Sequence, residues 1–324
     1  MPLGFIHYDH RIINLPHRTM SLPTLHFLSC STPEPHRMAY WQWGDANAAH
    51  TVVCVHGLTR QGRDFDVLAQ ALVERAGGAL RVVCPDVVGR GKSDWLKDPM
   101  GYQIPHYAAD MLALLTALKP TTLDWVGTSM GGLIGMVVCN LAASVGVPVR
   151  RLVLNDVGPV IEWSALQRIG QYLGKGGPFA SVQQAADAMW SISRSFGPHT
   201  PAQWLALSQP MLRQVSQAVQ GAMQEAVYAL HYDPTIALPF GQATPESAAQ
   251  GEAQLWQAYD AITAQTLLVR GADSDLLSKA TALQMTQRGP KARLVEFAGV
   301  GHAPTLVAQD QIDAVASFLL SPGA

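Results

Sequence analysis

Ser129 lies between two glycines in the stretch VGTSMGG, residues 126–132. Glycine and serine also meet in ordinary turns, so the G-x-S-x-G spacing alone is a weak signal. Here, however, the β-rich run TLDWVG ends just before it and the helix-forming run MGGLIGMVVCNLAA follows at once. A serine on such a sharp strand-to-helix turn projects its hydroxyl from the edge of a sheet. We therefore predict that Ser129 is a nucleophile, with a plain turn residue as the alternative.

The start of the helix after Ser129 offers a second chemical group. Backbone N–H groups at a helix N-terminus point toward the preceding turn and stabilise negative charge there. An oxyanion formed on a carbonyl that Ser129 attacks would accept a hydrogen bond chiefly from the N–H of Met130. The pattern thus predicts acyl-transfer chemistry.

The elements that must position Ser129 alternate along the chain. Two helical patterns are IPHYAADMLALLTALKP (104–120) and QIDAVASFLL (311–320). Six short runs are apolar at nearly every position, as strands covered on both faces require: TVVCVH (51–56), RVVCPD (81–86), TLDWVG (122–127), RRLVLND (150–156), TLLVRG (266–271) and ARLVEF (292–297). This alternation predicts an α/β protein with a doubly wound, mostly parallel sheet.

One long stretch, residues 159–262, interrupts the alternation with helix formers, tryptophans and no clear strand. It carries only eleven charged residues, fewer than a solvent-facing helical domain normally shows. We predict a helical cap insertion that covers the carboxyl edge of the sheet with an apolar underside. The α/β core is then residues 38–158 and 263–324, and residues 1–37 form a loosely ordered N-terminal extension.

Composition excludes several classes of function. The chain has 22 basic and 24 acidic side chains among 324 residues, so no strong field attracts nucleic acid or an anionic membrane. The first twenty residues lack the unbroken apolar stretch of a signal peptide, and the early histidines are too irregular for a metal site. The four cysteines lack metal-ligand spacing, and we expect them to be reduced and buried in a cytoplasmic protein: Cys30, Cys54, Cys84 and Cys139. The expected partner is a small neutral molecule, and the oligomeric state stays open.

From about residue 38 to the C-terminus the chain resembles the α/β-hydrolase family, in its serine-nucleophile branch of esterases and lipases. VHGLTRQGRDF (55–65) resembles the family's His-Gly loop, which implies that the N–H of Leu58 is a second oxyanion donor. GVGHAPTL (299–306) resembles the loop that carries the general base, which implies this role for His302. His56 and His106 are interpreted as structural. The stretch PDVVGRGKSD resembles the turn after the next strand, in which four residues are structural: Asp86, Gly89, Gly91 and Ser93.

The third catalytic residue departs from the usual pattern. In many relatives an acid follows the strand before the last as Gly-x-x-Asp, but counting three from Gly271 reaches Ser274. Asp273 and Asp275 lie one position to either side. In other relatives the acid ends the strand after the nucleophile helix, where this chain has Asp156 in VLNDVGPVIEW. Either carboxylate, Asp156 or Asp275, would orient the general base and stabilise its cation, and Asp273 is a third candidate.

The resemblance implies a carboxylic-ester hydrolase that acts through an acyl-enzyme on small to medium, largely apolar substrates, without metal or organic cofactor. A nucleophilic serine speaks against dehalogenase or epoxide-hydrolase chemistry. The alternatives are a carbon-carbon bond hydrolase of ring-cleavage products, an enol-lactone hydrolase, and a non-catalytic ligand receptor. Arg60 or Arg63, beside the presumed oxyanion loop, could hold a substrate carboxylate, with plain surface solvation as the alternative.

The insertion is also expected to contribute to substrate binding. Trp163 and Trp190 are candidate substrate contacts. Further aromatic residues of the insertion could line the same apolar pocket: Tyr172, Phe179, Phe196, Trp204 and Tyr228.

Overall fold

The computed structural model describes residues 22–217 and 225–322. Its larger sheet contains eight strands: β1 Thr24–Cys30, β2 His36–Gly44, β3 His50–Val55, β4 Arg81–Pro85, β5 Thr122–Thr128, β6 Val149–Asn155, β9 Gln265–Gly271 and β10 Arg293–Phe297. A separate two-stranded sheet pairs β7 Leu212–Gln217 with β8 Glu225–Leu230. The order in the larger sheet is β1-β2-β4-β3-β5-β6-β9-β10.

The six strands expected from apolar runs are all present and pair in parallel, from β4 at one end to β10 at the other. Strands β4 and β6 are buried along nearly their whole length because helices cover both faces of the sheet. The predicted fold class, an α/β protein with a mostly parallel sheet, is confirmed.

Ten α-helices accompany the strands in the described residues. Five belong to the layers against the sheet: α1 Asp66–Arg75, α2 Ile104–Leu118, α3 Met130–Leu141, α9 Lys279–Met285 and α10 Gln309–Leu320. Side chains of α2 and α3 join one buried apolar cluster and those of α1 and α10 join another, so helices lie on both faces of the sheet. The carboxyl ends of the central strands remain uncovered by these layers.

The insertion lies between β6 and β9 and contains the other five helices: α4 Trp163–Tyr172, α5 Val182–Ser193, α6 Pro201–Ser208, α7 Ala237–Gly241 and α8 Pro245–Asp260. The predicted helical cap insertion is not helical throughout, because β7 and β8 pair antiparallel inside it. The run LRQVSQ is short and half polar, so its strand character depends on pairing with β8, a contact that no local pattern reveals.

The expectation of a loose leader over residues 1–37 is wrong for its second half. Strand β1 pairs antiparallel with β2 at the edge of the large sheet. Polar and half-exposed side chains interrupt β1, as an edge strand allows, and this hid the strand from a search for apolar runs. Residues 1–21, the rest of the leader, lie outside the described residues.

A buried polar pair fastens these edge strands to the helix layer. His36 Nε2 lies 3.0 Å from Asp110 Oδ2, and both side chains are buried. Burial lowers the pKa of His36, but hydrogen bonds with Asp110, Cys30 and the Glu34 carbonyl outweigh burial and raise it to about 10. The imidazole is therefore a cation that neutralises a buried carboxylate.

Two further expectations concern cysteines and membranes. Cys30, Cys54 and Cys84 are buried, Cys139 is half-buried, and none of the four forms a disulfide. Among the described residues, no helix combines the length and apolar character needed to span a bilayer.

Candidate active site

Ser129 occupies the tight turn between β5 and α3, with φ 52° and ψ −117°. This backbone conformation is strained for any residue other than glycine and holds the side chain up at the sheet edge. The flanking glycines are needed because a Cβ on Gly131 would overlap the carbonyl oxygen of Val55, and one on Gly127 would overlap that of Gly131. The G-x-S-x-G spacing is thus a packing requirement of the turn.

A chain of hydrogen bonds joins three of the predicted residues. Ser129 Oγ lies 2.9 Å from His302 Nε2. On the other side of the ring, His302 Nδ1 lies 2.7 Å from Asp156 Oδ2. The carboxylate is fully buried, whereas the imidazole keeps a small exposed surface. In this arrangement the carboxylate fixes the tautomer of the ring, and Nε2 is free to accept the serine proton.

The structure selects among the candidate acids. Asp156 follows β6 and accepts hydrogen bonds from the Gly271 N–H at 2.9 Å and from Ser274 Oγ at 2.6 Å. Asp275 instead pairs with Arg168 on the surface, at 2.7 Å, and Asp273 is exposed. Ser274, which fills the slot of the common acid, therefore donates to the carboxylate that has replaced it.

Two backbone amides next to Ser129 lack a backbone acceptor in the described part of the chain. Among the described residues, neither the Leu58 N–H nor the Met130 N–H donates to a protein backbone acceptor. Both residues line the cavity next to Ser129. Free amides in such a position suit the oxygen of a tetrahedral intermediate.

Arg90 contacts both Leu58 and Met130. No pattern in the sequence predicted this role. Its side chain is fully buried, donates from Nε to the Leu58 carbonyl at 2.8 Å, and reaches the sulfur of Met130. Tyr107 and the Val88 carbonyl accept further bonds from Nη1, and no carboxylate of the described residues pairs with the guanidinium. The only signal in the sequence was an arginine between Gly89 and Gly91.

The loop that carries His302 is held by contacts from two directions. From the cap, Ser195 Oγ donates to the His302 carbonyl at 3.1 Å, and the Gly301 N–H donates to the Ser195 carbonyl. From the core, Asn155 Nδ2 donates to the Pro304 carbonyl at 2.8 Å. The cap therefore contributes to the position of the imidazole, a role that spacing along the sequence gave no means of finding.

His56 and His106 occupy structural positions. His56 is fully buried, bonds the Gly57 carbonyl through Nδ1 and accepts from the Val87 N–H through Nε2. Burial lowers the pKa of His56 to about 3, so the ring stays neutral. His106 bonds the Gly101 carbonyl at 2.8 Å. The turn predicted as structural is built around Asp86, which accepts from two backbone amides, while Ser93 donates to the Asp86 carbonyl.

Two cavities meet at Ser129, and Leu58 and Ile169 line both. The His302-side cavity has a volume of about 120 Å³. The Met130-side cavity has a volume of about 240 Å³. Residues that line only the first include Thr59, Arg168, Tyr172, Lys175, Phe196 and His302. Residues that line only the second include Tyr102, Tyr107, Leu133, Ile161, Phe240 and Met130.

Only some of the expected substrate contacts line the cavities at Ser129. Tyr172 and Phe196 line the His302-side cavity. The expectation for Trp163 and Trp190 is wrong for these two cavities, since Trp163 lines a separate surface groove and Trp190 packs edge-on against Trp204 inside the cap. Tryptophans have large apolar faces, and Trp190 and Trp204 belong to the core of the cap.

Arg60 lines the His302-side cavity, but its guanidinium is already engaged. Asp64 accepts two bonds of 2.7 Å from it, and the Leu207 carbonyl accepts a third. Arg63 is paired with Asp66 at 2.7 Å. Neither arginine presents a free fork to a substrate carboxylate, so the structure favours a bracing role for Arg60 between core and cap.

One group of described residues has the composition of a metal site, namely Cys30, His36 and Asp110. It lines neither cavity at Ser129. Both ring nitrogens of His36 already bond protein oxygens, one on Asp110 and one on Glu34, which leaves no lone pair for a metal while these bonds persist.

Comparisons with known proteins identify the family of this chain. Residues 52–318 match the model of the alpha/beta hydrolase family. The chain is 48% identical over 297 residues to a 3-hydroxybutyrate-oligomer hydrolase of Cupriavidus necator, across 91% of this chain and 97% of the relative.

Solved structures of hydrolases have a similar fold. An alpha/beta hydrolase from Novosphingobium aromaticivorans is 34% identical, with a TM-score of 0.75 over 93% of this chain and 99% of the other. A putative hydrolase from Rickettsia typhi is 26% identical, with a TM-score of 0.77 over 93% of this chain and all of the other.

Proposed function

The chain belongs to the alpha/beta hydrolase family and is a hydrolase that cleaves ester bonds, and from this premise we propose that Ser129, His302 and Asp156 hydrolyse the esters of short 3-hydroxybutyrate oligomers. The observation that carries the proposal is the continuous hydrogen-bond chain from Ser129 Oγ to Asp156, with bonds of 2.9 and 2.7 Å. The choice of substrate is supported by the relative from Cupriavidus necator, whose matched region covers nearly its whole length.

Acylation begins when Ser129 Oγ attacks the ester carbonyl carbon while His302 Nε2 accepts the hydroxyl proton. The carbonyl oxygen becomes an oxyanion, which accepts hydrogen bonds from the N–H groups of Leu58 and Met130. Collapse of the intermediate breaks the bond to the alcohol oxygen, and His302 Nε2 returns its proton to that oxygen. The products of this half are a 3-hydroxyacyl ester of Ser129 and a free alcohol.

Deacylation repeats the same steps with water as the nucleophile. His302 Nε2 accepts a proton from water, the hydroxide attacks the acyl carbon, and the same two amides stabilise the second oxyanion. The serine oxygen leaves with the proton held on His302. Throughout both halves Asp156 compensates the imidazolium cation and does not take its proton.

The size of the site supports short substrates. Each cavity is smaller than the roughly 300 Å³ at the low end of pockets for drug-sized ligands, with about 120 and 240 Å³. Residues of the cap line both, so substrate choice falls to side chains of the insertion such as Ile169, Tyr172 and Phe240. A long polymer chain would need a continuous open groove.

Neither carbon-carbon bond nor enol-lactone hydrolysis gains support from Arg60, the residue on which both alternatives depend. Both were motivated by an arginine free to hold a ring-cleavage product's carboxylate, and Arg60 is bonded to Asp64 and to the Leu207 carbonyl. A non-catalytic receptor would have no use for the ordered bonds among Ser129, His302 and Asp156.

The test is hydrolysis of p-nitrophenyl butyrate and of the linear 3-hydroxybutyrate dimer by the purified protein and by Ser129→Ala. We expect the variant to lose about 10⁴-fold or more in kcat while its thermal unfolding stays unchanged. A covalent phosphonate adduct should map to Ser129 by peptide mass spectrometry. Equal rates in the two proteins would overturn the mechanism, and hydrolysis of the p-nitrophenyl ester without the dimer would overturn the substrate assignment.

A further inference from the structure

The two cavities that meet at Ser129 differ in charge. No charged side chain lines the Met130-side cavity among the described residues. The His302-side cavity is lined by three basic residues, Arg60, Arg168 and Lys175, and by no acidic one of the described chain. Asp64 neutralises Arg60, and Asp275 neutralises Arg168 at the surface. The net positive charge of this cavity therefore comes from Lys175, which forms no ion pair with any other residue that the structure describes.

The position of His302 assigns a role to each cavity. His302 must deliver its proton to the alcohol oxygen that leaves, so the alcohol part of the substrate lies on the side of this ring. His302 lines the cationic cavity and is absent from the lining of the uncharged one. The acyl part then occupies the uncharged cavity, beside Met130.

Polar residues at the end of α4 line the His302-side cavity, in which the alcohol part of the substrate lies. Arg168 and Tyr172 are four residues apart on one face of α4, and Lys175 follows one turn later. Two hydrogen bonds fix the backbone at this point: the Lys175 N–H donates to the Tyr172 carbonyl at 3.0 Å, and the Gly174 N–H donates to the Tyr232 hydroxyl at 3.1 Å. Lys175, an exposed residue, thus lines the cavity from an anchored turn.

Asp275 competes only weakly with a ligand for the guanidinium of Arg168. Both side chains are more than a third exposed, and solvent screening leaves an exposed ion pair with little net stabilisation. The Arg168 guanidinium can therefore turn toward an anion in the cavity at little cost. An anion held there would contact two cations and the Tyr172 hydroxyl.

We propose that the His302-side cavity is a carboxylate subsite, in which Lys175, assisted by Arg168, binds the free carboxylate end of a hydroxy-acid oligomer. This inference rests on the proposed ester hydrolysis and adds a direction to it. The ester nearest the carboxylate end is cleaved, the terminal hydroxy acid leaves as the alcohol with a proton from His302, and the rest of the oligomer stays as the acyl group on Ser129. An oligomer of this kind carries its single charge at that end.

The experiment compares the 3-hydroxybutyrate dimer as its free acid with the same dimer as its methyl ester, at equal ionic strength. We expect the wild-type protein to prefer the free acid in kcat/KM, and Lys175→Met to lower the ratio of free acid to methyl ester by roughly 5-fold or more. Raising the salt concentration should lower the wild-type ratio toward that of the variant, since mobile ions screen the interaction. Methionine keeps most of the length of the lysine side chain but has neither its charge nor its N–H donors.

Lys97→Met is the matched control, because Lys97 is an exposed lysine that lines neither cavity. Its ratio should equal that of the wild type. A wild-type protein without preference for the free acid, or a Lys175→Met ratio equal to the wild-type ratio, would overturn the subsite. Hydrolysis of p-nitrophenyl butyrate that depends on Ser129 would leave the ester chemistry standing in either case, whereas loss of that activity as well would reject the proposed function.

Discussion

Ser274 donates a hydrogen bond of 2.6 Å to Asp156 Oδ2, the same oxygen that accepts from His302 Nδ1. Ser274 belongs to the loop after β9, and Asp156 belongs to the turn after β6, a neighbouring strand of the sheet. The two positions that relatives use for the acid are thus hydrogen-bonding distance apart. Because parallel strands end at the same sheet edge, either turn can supply the carboxylate to one imidazole.

The first prediction separates the two acids by charge removal. Asp156→Asn should lower kcat for p-nitrophenyl butyrate by about 10³-fold or more, since the imidazole loses its tautomer control and the negative charge beside its cation. Asp275→Asn should stay near the wild-type rate, because Asp275 pairs only with Arg168 among the described residues. Thermal unfolding of both variants distinguishes lost chemistry from lost fold. A near-normal kcat for Asp156→Asn would contradict the assignment.

The second prediction moves the acid across the 2.6 Å contact. In the Asp156→Asn background, Ser274→Asp should recover about 10-fold or more of the lost kcat, since the new carboxylate can accept from His302 Nδ1. Ser274→Asn in the same background is the control, with a similar shape and no charge. Equal rates for the two double variants would show that the loop after β9 cannot present an acid to the ring.

A third prediction concerns the buried guanidinium behind the oxyanion donors. Arg90→Met removes the bond to the Leu58 carbonyl and frees the loop that carries the Leu58 N–H. We expect kcat to fall about 10- to 100-fold with a smaller change in KM, because an oxyanion donor acts mainly in the transition state.

Tyr107→Phe supplies the comparison for Arg90, because it removes one acceptor of the guanidinium and leaves the bond to Leu58 intact. This variant should lose stability without the same loss in kcat. Were both variants to melt earlier with unchanged turnover, Arg90 would be purely structural.

The fourth prediction is a pH dependence of stability that comes from His36. Its pKa is raised in the folded state from the ordinary value of 6.5 to about 10. A raised pKa means that the folded state binds the proton more tightly, so this stabilisation is complete below pH 6.5 and disappears as the pH rises through 10. Unfolding by urea should show His36→Gln less stable than the wild type by about 3 kcal/mol near pH 6.

The difference between these two proteins should shrink as the pH approaches 10, where His36 loses its proton in the folded wild type. Comparison at each pH cancels the titration of all other groups common to both chains. A gap of constant size over the whole range would mean that packing, and not the charge of His36, holds the edge strands to α2.

Much of this protein was determined by local sequence. Six strands followed from apolar runs, and five of them, β3, β4, β5, β6 and β9, are buried along nearly their whole length because both faces of the sheet are covered. The turn at Ser129 followed from glycines at 127 and 131, whose Cβ atoms would overlap neighbouring carbonyl groups. Edge strand β1 was missed for the opposite reason, since its half-exposed face carries polar residues.

Other features were decided only by the tertiary structure. Asp156 and His302 are 146 residues apart in the chain, and three aspartates were chemically suitable until packing brought one of them to the ring. Contacts between distant segments likewise decide three other features. They are the antiparallel pair of β7 and β8 in the cap, the buried Arg90 behind Leu58, and cavities that Trp163 and Trp190 do not line. Local sequence patterns indicate which face of a helix or strand is buried. The side chains that meet at Ser129 are determined by how the helices and strands pack together.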